Sequence, residues 1–158
     1  MLINPRNKVL ISLHMEMKLP TRYKILAVLN FLGMLVSGYL VYVHFEPSLT
    51  DFCNLSEKWN CDIVNKSTYA EIAGVPVAAL GFAAYLSFFI FSLRGLKKSQ
   101  TRLVPWYFLA LSLGVAFTLS LTAVETFVLY TYCLFCVTQQ ILILIQWAFA
   151  LALYRTHS

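Results

Sequence analysis

Residues 131–154 read TYCLFCVTQQILILIQWAFALALY. From Cys133 to Tyr154 no side chain carries a formal charge. At ~1.5 Å per residue, a helix of that length reaches roughly 30 Å, the thickness of a bilayer's hydrocarbon core. Lipid offers a backbone no hydrogen-bond partners, so such a run crosses as a helix. The same stretch opens on Cys133 and Cys136, two thiols at C-x-x-C spacing placed where the chain enters the membrane.

Three further uncharged runs lie upstream, at about 25–45, 72–93 and 103–124. With the run at 133–154 they predict an all-α integral membrane protein, a four-transmembrane-helix bundle. Composition agrees: of 158 residues, 59% are hydrophobic and only 12% charged, and mean hydropathy is +0.71. A soluble domain of this size needs more polar surface to cover its core. Pro76 and Pro105 fall in the expected first turns of spans two and three, where a missing N–H costs least. The organisation expected is a tail at 1–22, one membrane domain at 23–154 and a short C-terminus at 155–158. Span one is too long for an ordinary cleaved signal and lacks an A-x-A-like site.

The net charge of +5 is distributed as an orientation signal, not as a nucleic-acid surface. Arg6, Lys8, Lys18, Arg22 and Lys24 precede span one; Arg94, Lys97, Lys98 and Arg102 join spans two and three; Arg155 follows span four. Only Lys58 and Lys66 fall on the other side. Positive loops stay inside, so both termini are expected in the cytoplasm and 46–71 and FVLYTY (127–132) outside. The outer segment is also acidic, through Asp51, Glu57, Asp62 and Glu71.

That topology puts all four cysteines on the outer side: Cys53 and Cys61 in the outer loop, Cys133 and Cys136 at the start of span four. In an oxidising compartment, outer cysteines in even number are most simply disulfides. Inert staples are one reading, but a bond between residues three apart constrains an unfolded chain little. Redox chemistry is the other. On a first helical turn both sulfurs share a face, and a helix N-terminus favours a thiolate. A zinc site is the third reading, and C-x7-C with C-x2-C lacks the paired knuckles of a zinc ribbon.

Four helices, cytoplasmic termini, C-x7-C in the first outer loop and C-x-x-C opening helix four resemble the vitamin K epoxide reductase family. The stretch CDIVNKSTYAEIAGVPVAALGFAAYL (61–86) is similar to its bacterial branch, and the likeness covers about 22–154. The resemblance implies a relay. Cys53 and Cys61 match a shuttle pair that takes electrons from a reduced thioredoxin-like (DsbA-like) partner, with Cys53 forming the mixed disulfide. Cys61 then attacks Cys133, and Cys136 delivers electrons to a bound quinone, ubiquinone or menaquinone. Ser67 matches a loop Ser/Thr kept near this site. Many bacterial relatives carry a fused thioredoxin-like domain; here the partner is expected in trans, at the outer face of a bacterial inner membrane. The animal enzymes have Tyr where this chain has Gln140, and Asn where it has GVPVAAL (74–80). Both departures favour plain quinone reduction over production of reduced vitamin K from its epoxide. A non-catalytic membrane scaffold is the reading from another class.

Other residues divide between chemistry and packing. Phe82, Phe135 and Gln140 are candidates to contact quinone. Glu125, near the outer end of span three, is expected to reach interfacial water, although ionisable residues in a span are functional candidates by default. His44 is expected to be an interfacial residue, with proton transfer as its functional alternative. Trp106, Trp147, Tyr107, Tyr130, Tyr132 and Tyr154 are expected to form an aromatic belt.

Overall fold

The structure is a computed structural model that describes residues 5–46, 53–97 and 101–157, with side chains described within 20–46, 53–97 and 102–155. Its elements are α1 (Pro5–Phe45), a short α2 (Cys61–Asn65), a hairpin of β1 (Glu71–Ile72) and β2 (Val75–Pro76), then α3 (Val77–Lys97), α4 (Val104–Val124) and α5 (Leu134–His157). Among the described residues, four helices are long and apolar enough to cross a membrane: Pro20–Phe45, Val77–Lys97, Val104–Leu129 and Leu134–Arg155. The fold class read from the sequence is the one observed.

Three boundaries differ from expectation. The first helix begins at Pro5 and runs through Pro20, well ahead of the apolar run. Span two begins at Val77, not at residue 72, because Ile72 pairs with Val75 across the Ala73–Gly74 turn. Both turn residues have positive φ, 53° and 79°, the left-handed geometry a two-residue hairpin needs. Pro76 therefore closes the hairpin instead of entering the helix. Span three continues past Val124 into a π-helical turn, Glu125–Leu129, capped by Tyr130 in the left-handed region at φ 52°. Asp51 lies outside the described residues.

The bundle is held by close backbone approach and by polar bonds between helices. α1 packs on α3 and α5, and α4 on α5. A Cβ on Gly33 would collide with the ring of Tyr85, so glycine is what lets α1 and α3 meet there. Asn30, fully buried, donates to Ser92 Oγ at 3.0 Å and to the Tyr107 hydroxyl at 3.5 Å, joining α1, α3 and α4. Gln139 Nε2 donates to Gly33 O at 2.9 Å and to Ser37 Oγ at 2.6 Å, joining α5 to α1. In a dry interior such groups need a partner, so these bonds also fix the register of the helices.

Trp106 and Tyr130 are exposed near span ends, as a belt requires. Tyr107 is not part of it: it is buried, stacked on Phe91 with centroids 4.3 Å apart.

Arg22 donates to Ala152 O at 3.0 Å, and Gly95 abuts Tyr23, so the start of the first span and the ends of α3 and α5 share one end of the bundle. The cysteines occupy the opposite end.

Candidate functional site

The site begins with two backbone hydrogen bonds. Asn60 N donates to Tyr132 O at 3.0 Å and Tyr132 N to Lys58 O at 2.8 Å, so the outer segment is laced to the chain just ahead of α5. Trp59 packs on Tyr132 at the same bridge, with ring centroids 5.6 Å apart. The described part of the outer segment, from Cys53 onward, is thus anchored.

α2 starts at Cys61 because Asn60 caps it, its side chain accepting from Ile63 N at 3.1 Å. Asn54 Oδ1 accepts from Cys61 N at 3.1 Å, and Asn54 Nδ2 donates to Asp62 Oδ2 at 2.9 Å. These contacts fix Cys61 from both sides. Cys53 and Cys61 form a disulfide, with Cα atoms 5.7 Å apart.

Cys133 and Cys136 are free thiols. Cys133 Sγ lies 3.2 Å from Cys61 Sγ, and the sulfurs of Cys53, Cys61 and Cys133 all fall within 4.8 Å of one another. All three residues are buried, in a cluster completed by Leu40 and Val64, with Phe135 packed against it. α5 begins at Leu134, so Cys133 stands one residue ahead of the fourth span. Cys136 N donates to Cys133 Sγ at 3.4 Å. A hydrogen bond from the Cys136 side chain, stronger than the opposing effect of burial, holds the Cys133 thiol below its ordinary pKa.

Cys136 faces inward, onto a cavity of about 470 Å³ enclosed by α1, α3, α4 and α5 and roofed by the outer segment. Most of its wall is apolar. The polar exceptions include Asn65, Ser67, Glu125, Gln139 and Gln140. Neither amide atom of Gln140 has a hydrogen-bond partner among the described residues, although both are buried.

The candidates read from the sequence thus separate. Cys53, Cys61, Cys133 and Cys136 come together at one end of the bundle. Ser67 and Gln140 line the cavity, Ser67 donating to Val64 O at 2.8 Å. Phe135 instead packs on the sulfur cluster and on Tyr39, with ring centroids 5.0 Å apart. Phe82 is absent from the cavity wall; it lies over Gly38 between α1 and α3, partly exposed.

Glu125 departs from its expected surroundings, and His44, at the end of α1, has partners the sequence did not reveal. Glu125 does not reach water: it is 4% exposed, on the cavity wall. Its carboxylate accepts hydrogen bonds from the Cys136 thiol and from Cys133 N–H. An acid in a span was the available signal, but the expected helix end at residue 124 left Glu125 beyond it. His44 is a structural tie: Nδ1 is 2.9 Å from Asn65 O and Nε2 3.1 Å from Glu71 Oε1, so it joins α1 to both α2 and the hairpin.

A disulfide, a thiol in contact with it and a second thiol open to an apolar cavity make an arrangement able to exchange sulfur–sulfur bonds and pass electrons inward. The model of the vitamin K epoxide reductase family matches residues 24–151, and the chain belongs to that family of membrane thiol oxidoreductases.

Proposed function

We propose that this member of the family moves electrons from a reduced thioredoxin-like protein through Cys53/Cys61 and then Cys133/Cys136 to a membrane quinone, and so supports disulfide formation outside the cytoplasm. The 3.2 Å approach of Cys133 to the Cys53–Cys61 disulfide is the observation that carries this reading. A scaffold with structural disulfides has no need of a free thiol at that distance.

The partner's thiolate attacks Cys53 and frees Cys61 as the leaving thiolate. Cys61 attacks Cys133 of an oxidised Cys133–Cys136 pair, so a Cys61–Cys133 bond forms and Cys136 leaves with the electron pair. The partner's second thiol resolves the mixed disulfide and departs oxidised. Cys53 then attacks Cys61, restoring the shuttle disulfide and leaving Cys133 and Cys136 reduced. That product has the bonding pattern of the structure: Cys53–Cys61 joined, Cys133 and Cys136 free.

The cavity suits a quinone head group. Its volume of about 470 Å³, apolar wall and few polar atoms match a small-molecule site. Gln140, whose amide lacks a partner among the described residues, would hold a carbonyl oxygen. Bound there, a quinone supplies a two-electron, two-proton acceptor beside Cys136. Leu40, Ala78 and Leu129, packed on the sulfur cluster, keep water from the exchanging bonds.

The cysteine-bearing end of the bundle belongs outside the cytoplasm, in bacteria the periplasm. The basic residues, ten of twelve at the other end of the chain's path, favour cytoplasmic termini. Anaerobic mixing of the purified protein with a reduced thioredoxin-like donor and with ubiquinone or menaquinone analogues tests the proposal through quinone absorbance. Loss of quinone in step with donor oxidation is expected. An unchanged spectrum while the donor stays reduced would count against it.

A further inference from the structure

Glu125 is a buried acid that forms no ion pair among the described residues. A carboxylate in such surroundings is costly to keep charged and is retained where it does chemistry. Its position is fixed by the π-helical turn that ends α4. The main-chain carbonyl of Glu125 accepts from Thr131 N at 3.2 Å and from the N–H of Tyr130, so the chain folds back over it toward Cys133. Its side chain then meets Cys136 and Cys133 N–H, on the wall of the cavity that Gln140 also lines. Three features converge: hydrogen-bond reach of one thiol, exclusion from water, and an open path into the cavity.

We infer that Glu125 is the proton carrier of the inner thiol pair: it takes the proton of Cys136 as that sulfur gives up its electrons, and releases it into the cavity to the electron acceptor. This rests on the proposed role of Cys136 as the last thiol before a quinone. Closing the Cys133–Cys136 disulfide yields two electrons and two protons, and converting a quinone to a hydroquinone consumes both. The Cys136 proton crosses its hydrogen bond to the Glu125 carboxylate and passes on. Glu125, again a carboxylate beside Cys133, then takes the Cys133 proton as the Cys133–Cys136 bond closes. Without a base at this position, the proton would have to leave through an apolar wall.

Other titratable groups face the same space: Cys136 from α5, Tyr85 from α3 and Tyr69 from the outer segment, with Cys133 behind Cys136 in the sulfur cluster; the α1 wall offers Ser37 and Leu40. The test must therefore separate Glu125 from the thiols themselves. In pre-reduced protein, the pH profile of Cys136 alkylation by a small maleimide, read by mass spectrometry, needs no quinone. The wild type should show two inflections, one from the carboxylate and one from the thiol. Glu125→Gln, which keeps the side chain's shape and hydrogen bonding but is not a base, should show one. Single-turnover quinone reduction by the same variant should fall about 100-fold or more, the usual scale of acid–base assistance. Exchange between the donor and Cys53–Cys61 should stay within about twofold, since no proton of that step passes Glu125. If Glu125→Gln does not fold, Glu125→Asp retracts the carboxylate and should slow quinone reduction about tenfold with a shifted alkylation profile. Either variant with wild-type rate and profile overturns the inference. Two inflections in a wild type that reduces no quinone would instead sink the proposed function and leave the Glu125–Cys136 proton couple standing.

Discussion

Removing Cys53 and Cys136 together, as Cys53→Ala with Cys136→Ala, leaves only Cys61 and Cys133, whose sulfurs lie 3.2 Å apart. A disulfide needs about 2.05 Å, so the pair must close by about 1.2 Å, within reach of side-chain rotation. Neither backbone has to move: Cys61 is fixed by Asn54 and by the Asn60–Tyr132 bond, and Cys133 leads directly into α5. Well-oriented groups reach effective molarities on the order of 10⁵ M or more, whereas groups joined by a flexible tether reach only millimolar values. The difference is roughly 10⁸-fold, about 11 kcal/mol, and glutathione titration resolves far less. The double variant should therefore form the Cys61–Cys133 bond nearly completely and keep it in a glutathione buffer that reduces a tethered pair. Peptide mapping after alkylation of free thiols is the assay. An effective molarity below about 1 M, or disulfides forming between molecules instead, would refute the claim that the two cysteines are held ready to exchange.

Asn60→Ala removes the cap on α2 and should cost about 1 kcal/mol of local stability, seen as faster hydrogen exchange at the Ile63 amide. Gln140→Leu should raise the KM for quinone about tenfold, the loss of one buried hydrogen bond, with donor exchange unchanged in stopped-flow traces. Cys136→Ala removes the donor that lowers the Cys133 pKa; the ultraviolet absorbance of the Cys133 thiolate should then appear at higher pH than in the wild type. Gly33→Ala should overpack against Tyr85 and lower thermal stability by about 1–3 kcal/mol, with partial recovery when Tyr85→Ala is added.

Much of the fold was legible because a bilayer imposes a simple rule, a long uncharged run becomes a helix, and the run at 133–154 obeys it closely. The rule fails where an apolar stretch turns before entering lipid. Ile72 and Val75 read as span two, yet Gly74 and the pre-proline position of Val75 make a hairpin, and the helix waits for Val77. The four cysteines stood out by their spacing, and the structure brings them to one end of the bundle. That Phe82 lies off the cavity wall could not be read, because hydropathy says which residues lie in a span but not which way they face. Glu125 was under-read for a related reason. A π-helical turn prolongs α4 by five residues and turns the acid inward, a backbone feature with no local sequence signature. The anchoring of the outer segment by Lys58, Asn60 and Tyr132 was hidden too, since main-chain hydrogen bonds between residues about seventy apart leave no pattern in side chains.

The most direct test of the account is the order in which disulfides appear. Fully reduced protein is mixed anaerobically with a quinone, quenched with acid at successive times, alkylated and mapped by mass spectrometry. The account predicts that a Cys133–Cys136 bond forms first, in step with hydroquinone, and that Cys53–Cys61 follows through a Cys61–Cys133 intermediate. Hydroquinone accumulating while Cys133 and Cys136 remain thiols, or Cys53–Cys61 closing first, would contradict it.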